Sequence, residues 1–294
     1  MAKLIVFPDS EALSRALHSI PASGLTTEVL EVPSFCKGIA PPALVVSGNV
    51  ERLLRDLRSK GISVSGVIAY SANKRDAPAA PPADPTWKEG VGGLRVVSLR
   101  HSFSDPRKLR LDAAPIKPLG DLVGIMARII RGGAYRPARR ILAFEEDQRL
   151  VVITSASLTF CRTEDLLDSW IMLRTAVELI RQAWENRHAL EPERHPRSGL
   201  GANEIFRRLP GSNCGRCGAT TCMEFALGVF TTRRKLEECP PILEEPNRAL
   251  LESARWVLDI MGLPSDLDDQ ELSHHASQRR LREIRVSELR SRGK

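Results

Sequence analysis

Several common functional signatures are missing from this 294-residue chain. It contains no run of about 18 apolar residues, which a membrane-spanning helix requires. Its N-terminus has neither the apolar core nor the cleavage site of a signal peptide, so we expect a cytoplasmic protein. No G-x-x-x-x-G-K-[ST] segment occurs, and we therefore expect no nucleotide ligand. None of the six histidines forms an H-E-x-x-H or nucleophile–base pattern, so no hydrolytic class is indicated.

Aromatic residues that could stack on bases are also scarce, with 8 Phe and 2 Tyr in the whole chain. The formal net charge is +7, and positive charge is concentrated in segments 128–140 and 279–294. Either segment could bind nucleic acid or an acidic protein face, or could simply be a solvated surface. The shortage of aromatics favours the solvated surface, and we do not expect nucleic acid as a partner.

Composition and periodicity predict an α+β protein in five segments. Residues 1–70 alternate short apolar strands with amphipathic helices in the order β-α-β-β-α-β, which is typical of a ferredoxin-like unit. Residues 71–93 are rich in proline and alanine, which predicts a linker. Residues 94–190 indicate a second α+β unit. Residues 201–262 predict a small, mostly helical domain, and 263–294 form a charged, basic tail.

Helix starts can be predicted from capping residues. Asp9 or Ser10 and then Asn49 are suitable N-caps in the first unit, and Thr163 is a suitable N-cap for a long helix in the second. Apolar residues recur along that helix at steps of four and three: Leu166, Trp170, Leu173, Val177, Ile180 and Trp184. Such a stripe predicts either the inner face of a core or a docking face for a partner helix.

Four of the six cysteines are grouped as Cys214-x2-Cys217-x4-Cys222-x16-Cys239, with Pro240 directly after the last. Thiols stay reduced in the cytoplasm, so grouped cysteines indicate metal ligands. A four-iron cluster needs four thiolates. A tight glycine-rich loop can supply three, and the fourth arrives from elsewhere, followed by proline as in bacterial ferredoxins. The spacing therefore predicts one 4Fe–4S cluster bound by these four cysteines.

The residues around the cysteines suit such a cluster. Gly215 and Gly218 each follow a cysteine and permit positive φ, which lets backbone N–H groups approach the sulfurs. Those hydrogen bonds favour the more negative, reduced cluster. Arg216 and the cationic run 233–235 would act in the same direction if they lie near the sulfurs.

Three other roles for these cysteines remain open at this point. Structural zinc sites usually combine two short C-x2-C pairs, whereas this chain has one. The C-x2-C-x4-C order is the reverse of the plant-type spacing, which leaves a two-iron cluster as an alternative. A disulfide is the third possibility, although the cytoplasm disfavours it.

The segment LPGSNCGRCGATTCMEFALG, with CPP further on, resembles the 4Fe–4S domain of the corrinoid iron–sulfur protein large subunit. That subunit is the gamma subunit of carbon monoxide dehydrogenase/acetyl-CoA synthase, and the RnfB component of the Rnf electron-transport complex carries a similar domain. The resemblance covers about residues 205–245 and implies that the four cysteines bind a 4Fe–4S cluster. The matching residues are Leu209, Pro210, Gly211, Asn213, Cys214, Gly215, Cys217, Gly218, Cys222, Phe225, Ala226, Cys239 and Pro240.

A second resemblance concerns the N-terminus, which is similar to selenium/sulfur carrier-like proteins. In those proteins a cysteine follows a proline-containing strand end, and Cys36 falls at that point, although Lys37 separates it from Gly38. Lys37 could lower the pKa of the Cys36 thiol and make it nucleophilic; an ordinary loop cysteine is the alternative. Cys161 lies in an apolar strand, and we expect it in the core. The whole chain resembles uncharacterised iron–sulfur proteins of anaerobic microbes.

Three functional hypotheses follow. The first is a single-electron-transfer module that serves a redox or metalloenzyme partner in anaerobic metabolism. The second is a delivery factor that supplies iron–sulfur units, or sulfur or selenium carried on Cys36, during metalloenzyme maturation. The third is a basic nucleic-acid-binding protein in which the cluster is structural.

Overall fold

The computed structural model describes residues 2–20, 25–70, 77–102, 105–130 and 132–265. The chain divides into two compact units, Met1–Leu200 and Gly201–Lys294. Both α-helices and β-strands are present, and the strands form two antiparallel sheets. None of the helices within the described ranges is long and apolar enough to cross a bilayer.

The first sheet has four strands in the order β2-β3-β1-β4, and every pair is antiparallel. Its elements are β1 (Lys3–Val6), α1 (Ser10–Leu17), β2 (Leu25–Leu30), β3 (Ala43–Gly48), α2 (Val50–Ser59) and β4 (Gly66–Ala69). The predicted caps are confirmed, because the Asp9 side chain accepts from the Ala12 amide and that of Asn49 from the Arg52 amide. Both helices pack on one face of the sheet, where Ile5 and Leu44 share a core with Leu53.

The second sheet has six strands in the order β5-β6-β10-β9-β8-β7, and all its pairs are antiparallel. Its strands are β5 (Leu94–His101), β6 (Leu109–Pro115), β7 (Ala134–Arg136), β8 (Ile141–Glu146), β9 (Arg149–Ile153) and β10 (Leu158–Thr163). The helices of this region are α3 (Trp87–Val91), α4 (Leu122–Ile129) and α5 (Leu166–Glu185).

Strand β6 alternates apolar and charged residues at its start, Leu109 to Asp112, a pattern that predicts one buried and one exposed face. Asp112 is nevertheless buried within the sheet, where it accepts hydrogen bonds from Thr159 Oγ1 at 2.8 Å and Arg110 Nε at 3.1 Å. A buried carboxylate is tolerated when it is paired in this way. The hydrogen-bond partners of Asp112 are Arg110 in β6 itself and Thr159 in β10, so both hydrogen bonds form together only in the assembled sheet.

The predicted domain boundaries within residues 1–190 stay a prediction, although the structure gathers these residues into one compact unit. The two sheets touch where the Leu99 amide donates to Ser65 O at 2.9 Å and Ser65 Oγ donates to Val96 O at 2.6 Å. Within the predicted linker, residues 87–91 form α3, and its Trp87 is buried in the core. Because proline and alanine dominate the composition of this segment, Trp87 does not stand out in the sequence as a core residue.

The long helix α5 begins later than predicted. Asp165 is its N-cap and accepts from the Asp168 amide at 2.8 Å, so Thr163 as the cap is wrong. Thr163 instead ends β10, where its buried hydroxyl bonds Leu109 O and Ser169 Oγ. The predicted stripe lies in the core, except that Trp184 is only partly buried. The core interpretation is therefore confirmed.

The described part of the second unit, residues 201–265, consists of helices and the loops that join them. It contains α6 (Ala202–Phe206), α7 (Cys222–Phe230), α8 (Pro240–Leu243) and α9 (Arg248–Met261), with short 3-10 turns at Leu236–Glu238 and Glu245–Asn247. Ile205, Phe225, Ile242 and Val257 are buried here. Most of the predicted basic tail, residues 266–294, lies outside the described residues.

Candidate metal centre

Three of the four grouped cysteines lie on a loop that the backbone curls tightly. Gly215 and Gly218 have φ of +69° and +75°, in the left-handed region where a Cβ is disfavoured. Asn213 is also left-handed, with φ of +47°, a conformation that asparagine tolerates better than most residues. These positions turn the chain repeatedly between Pro210 and α7, so that the loop bends around a common centre.

The loop ends in a capped helix that places Cys222. Thr221 is the N-cap of α7, and its Oγ1 accepts from the Glu224 amide at 3.1 Å. The Glu224 carboxylate in turn accepts from the Thr220 amide at 2.7 Å. Cys222 is the first residue of the helix, where the positive end of the helix dipole favours a thiolate.

Cys239 arrives from a separate part of the chain. It lies between the 3-10 turn Leu236–Glu238 and α8, and Pro240 occupies the first position of that helix. Proline suits this position because the backbone N–H that it lacks would have no partner within the helix there. Pro240 thereby fixes the turn that follows Cys239. The side chain of Cys239 is buried.

All four cysteines line one cavity in the second unit. Ala219 and Phe225 form part of the wall of this cavity. None of the four is in a disulfide. Their exposure is graded: Cys214 is exposed, Cys217 is half-buried, and Cys222 and Cys239 are buried. The cavity therefore has one edge at the surface and one in the interior.

Asn213 fixes the position of Cys222 through two contacts. Its backbone N–H lies 3.4 Å from Cys222 Sγ and donates to it, while its Oδ1 accepts from the Cys222 amide at 2.8 Å. An N–H group that points at a sulfur stabilises negative charge on it. This asparagine therefore both positions a thiolate and stabilises its charge.

The pKa values of two of the thiols are shifted in opposite directions. The backbone N–H of Arg216, followed by the Ser212 hydroxyl, lowers the pKa of Cys214 by bonding its sulfur. Burial raises the pKa of Cys239, and the negative charges of Cys217, Cys222 and Cys214 raise it further. Four thiolates therefore repel one another in this cavity, and a bound cation of high charge removes that cost.

The donor set fits an iron–sulfur cluster. Within the described ranges, no three His, Cys, Asp or Glu side chains are arranged to hold a single metal ion. A cubane offers a separate iron to each thiolate, so its ligands surround a cavity and need not converge on one point. Four free thiols around one cavity, with N–H groups aimed at sulfur, match this requirement.

The predicted cations near the cysteines separate into two groups. Arg216 forms an ion pair with Glu244 at 2.8 Å, and Arg234 donates to the carbonyl of Cys217 at 2.6 Å. Arg233 and Lys235 are exposed. Sequence reasoning did not single out Ser212 or Glu244, because an exposed serine and an exposed glutamate 28 positions beyond Arg216 carry no distinguishing signal.

The two remaining cysteines lie in the first unit and do not line the cavity. Cys161 is buried in β10, as predicted. Cys36 ends a 3-10 turn, is fully buried, and donates its S–H to Trp170 O at 3.2 Å. Burial raises the pKa of the Cys36 thiol to about 12, although the charge of Arg174 opposes the shift. Of the two interpretations of Cys36, the structure favours the ordinary cysteine over activation by Lys37, because burial outweighs the opposing charge of Arg174.

Cys36 should resist thiol reagents in the folded protein. With a pKa of about 12, only about 1 in 10⁴ of its thiols is ionised at pH 8, and the thiolate is the nucleophile. We expect no carbamidomethylation of Cys36 and no persulfide on it after incubation with a cysteine desulfurase, as judged by mass spectrometry of the native protein. Denatured protein is the control, in which Cys36 should react fully. Rapid labelling of the native protein would contradict the buried assignment.

Comparison with known proteins indicates the class of domain to which the cysteine segment is similar. Residues 209–241 match the model of the family described as "Putative Fe-S cluster". This part of the chain is therefore similar to iron–sulfur cluster domains, the class that the cysteine cavity also fits.

The chain is also similar, over short stretches, to other proteins. One is the acetyl-CoA decarbonylase/synthase complex subunit gamma of Methanopyrus kandleri, 42% identical over 53 residues, which are 18% of this chain and 12% of that protein. The corrinoid/iron-sulfur protein large subunit of Moorella thermoacetica is 38% identical over 55 residues, 19% of this chain and 12% of that protein. An uncharacterized protein of Methanocaldococcus jannaschii is 42% identical over 60 residues, 20% of this chain and 27% of that protein.

The similarity is local, since the chain spans between 12% and 27% of the length of these relatives. No solved structure gives a significant match to the chain. The family match covers residues 209–241, and the similarities to these three relatives extend over 53 to 60 residues of the chain.

Proposed function

We propose that Cys214, Cys217, Cys222 and Cys239 hold one 4Fe–4S cluster and that the protein transfers single electrons. The observation that carries the proposal is that four free thiols from two separate segments line one cavity. A cluster bound there supplies reversible one-electron exchange. Support for an iron–sulfur cofactor also comes from the family match over residues 209–241.

The surroundings of the cavity support transfer to another protein. The loop 211–216, which includes Cys214, is exposed along its whole length. Electron exchange needs no substrate pocket, only an approach to one edge of the redox centre, and this loop offers that edge. A protein similar to part of this chain is a subunit of the acetyl-CoA decarbonylase/synthase complex, so we infer a metalloenzyme as the partner of this chain in anaerobic metabolism.

The chain itself has three tasks in this function. The backbone N–H of Asn213 and that of Arg216 donate to Cys222 and Cys214 and stabilise negative charge on these sulfurs. Phe225 and Ala219 form an apolar wall that limits water on the inner side. The buried position of Cys239 closes the cavity from the second segment.

The remaining features of the proposal concern fold and location. We infer that residues 201–262 are the cluster domain. We also infer that residues 1–70 form a ferredoxin-like unit, which the antiparallel order β2-β3-β1-β4 supports. A reducing cytoplasm suits a protein whose six cysteines are all free in its structure. The buried, unactivated Cys36 weighs against a carrier role and favours electron transfer over sulfur delivery.

Anaerobic reconstitution tests the proposal. We expect about four irons and about four sulfides per chain, with broad visible absorbance that dithionite bleaches and the paramagnetic signal of a one-electron-reduced cubane. Binding of a single zinc in place of iron, or of a two-iron cluster, would refute it. The Cys161→Ala variant is the matched control, because Cys161 is a buried cysteine far along the chain from the cavity residues.

A further inference from the structure

Among the cations of residues 201–265, Arg234 is distinguished by a side chain that reaches the backbone of a predicted cluster ligand. Its Nη1 donates to Cys217 O at 2.6 Å. The side chain is 28% exposed, so it is held largely within the fold. The neighbouring Arg233 is exposed, and no described contact ties its side chain to the cysteine loop.

The peptide that follows Cys217 is fixed at both ends. Its carbonyl oxygen accepts from Arg234, and its N–H, which belongs to Gly218, donates to Gly215 O at 2.8 Å. A peptide plane held on both sides cannot rotate without breaking one of these hydrogen bonds. The orientation of Cys217 in the loop therefore depends on Arg234.

The same side chain also contacts the inner wall and the segment that carries the fourth cysteine. Its guanidinium lies 5.9 Å from the ring centroid of Phe225, which lines the cavity. Its Nη1 lies 3.8 Å from the carboxylate of Glu238, the residue before Cys239. Arg234 thus connects the three-cysteine loop, helix α7 and the Cys239 segment.

Room for the Arg234 stem is provided by a glycine inside α7. A Cβ added to Gly228 would lie 2.8 Å from Arg234 Cδ and 3.1 Å from its Cγ. Glycine in a helix interior destabilises the helix relative to alanine. Gly228 lies where the aliphatic part of the Arg234 side chain crosses α7, and glycine leaves room for it there.

We propose that Arg234 is a positioning residue that fastens the Cys217 loop to the Cys239 segment and raises the reduction potential of the bound cluster. The inference rests on the proposed function. A cluster becomes more negative by one charge when it is reduced, so a guanidinium bonded to the loop that ligates it stabilises the reduced form more than the oxidised form. Hydrogen bonds to the ligand loop act in the same direction.

The test compares Arg234→Gln, Arg234→Lys and the control Arg233→Gln in the full, reconstituted chain. Potentials are measured by dithionite titration with paramagnetic resonance, and iron release is measured with a chelator. We expect Arg234→Gln to have a lower potential than wild type and roughly 10–100-fold weaker iron retention, the usual cost of losing an outer-shell partner. Arg234→Lys keeps the positive charge, so we expect its reduction potential to stay closer to the wild-type value than its iron retention does. Arg233→Gln should match wild type.

Gly228→Ala gives an independent result that leaves the arginine in the sequence. The added methyl group should displace the Arg234 stem, and we expect the potential to fall as in Arg234→Gln. This variant also decides the matter if Arg234→Gln retains no cluster. Potentials equal to wild type in both Arg234→Gln and Gly228→Ala would overturn the inference alone. A wild-type chain that binds no iron would instead refute the proposed function and, with it, this inference.

Discussion

Cys239→Ala is expected to give a protein without a stable four-iron cluster. Cys239 is the one predicted ligand outside the loop 214–222, and it is buried at the inner side of the cavity. Its loss leaves one iron without a protein thiolate, so the cluster should be absent or reduced to a labile three-iron form. Iron per chain in protein prepared without oxygen is the measurement.

Loss of the cluster should also destabilise the unit that holds it. The described part of this unit is about 65 residues long, a size at which a metal or disulfide often supplements a small core. Limited proteolysis of Cys239→Ala should therefore cut within residues 201–265 and leave 1–200 resistant. Cys161→Ala is the control and should retain full iron, with only the stability loss of a packing defect. Equal iron loss in both variants would contradict the ligand assignment.

Arg208→Ala is expected to destabilise the second unit by about 3–5 kcal/mol, the usual cost of removing one partner from a buried ion pair. Arg208 Nη1 lies 2.9 Å from Glu204 Oε2, and both side chains are 2% exposed. Arg208 Nε also donates to Ser253 Oγ at 3.1 Å, which links the end of α6 to α9. Alanine would remove this partner from the buried Glu204 carboxylate, while the ion pair with Arg207 stays.

Hydrogen exchange of the α6 and α9 amides measures this loss, because two units need not unfold together. Arg207→Ala is the matched control. Its side chain is 34% exposed and bonds the same glutamate at 2.6 Å, so solvent screens the pair and the expected loss is about 1 kcal/mol or less. Similar losses in the two variants would show that burial does not determine the strength of this pair.

The sequence by itself determined features that depend on neighbouring residues. Asp9 and Asn49 cap their helices because a short polar side chain reaches a backbone N–H three residues ahead, whatever the rest of the fold does. The apolar stripe of α5 lies in the core because its period matches the helix. The three cysteines of residues 214–222 share one cavity because two glycines let a short segment curl.

Only the tertiary structure decided the features that depend on residues far apart in the chain. Asp112 of β6 can be buried because Thr159, 47 positions away, donates a hydrogen bond to it. Cys36 is buried and donates its S–H to the backbone carbonyl of Trp170 in α5, which no local pattern around Lys37 could indicate. Arg234 is distinguished from Arg233 by the carbonyl of Cys217, 17 residues earlier. In each case burial or a long-range hydrogen bond sets the free energy of a polar group, and the folded chain alone brings its partner within reach.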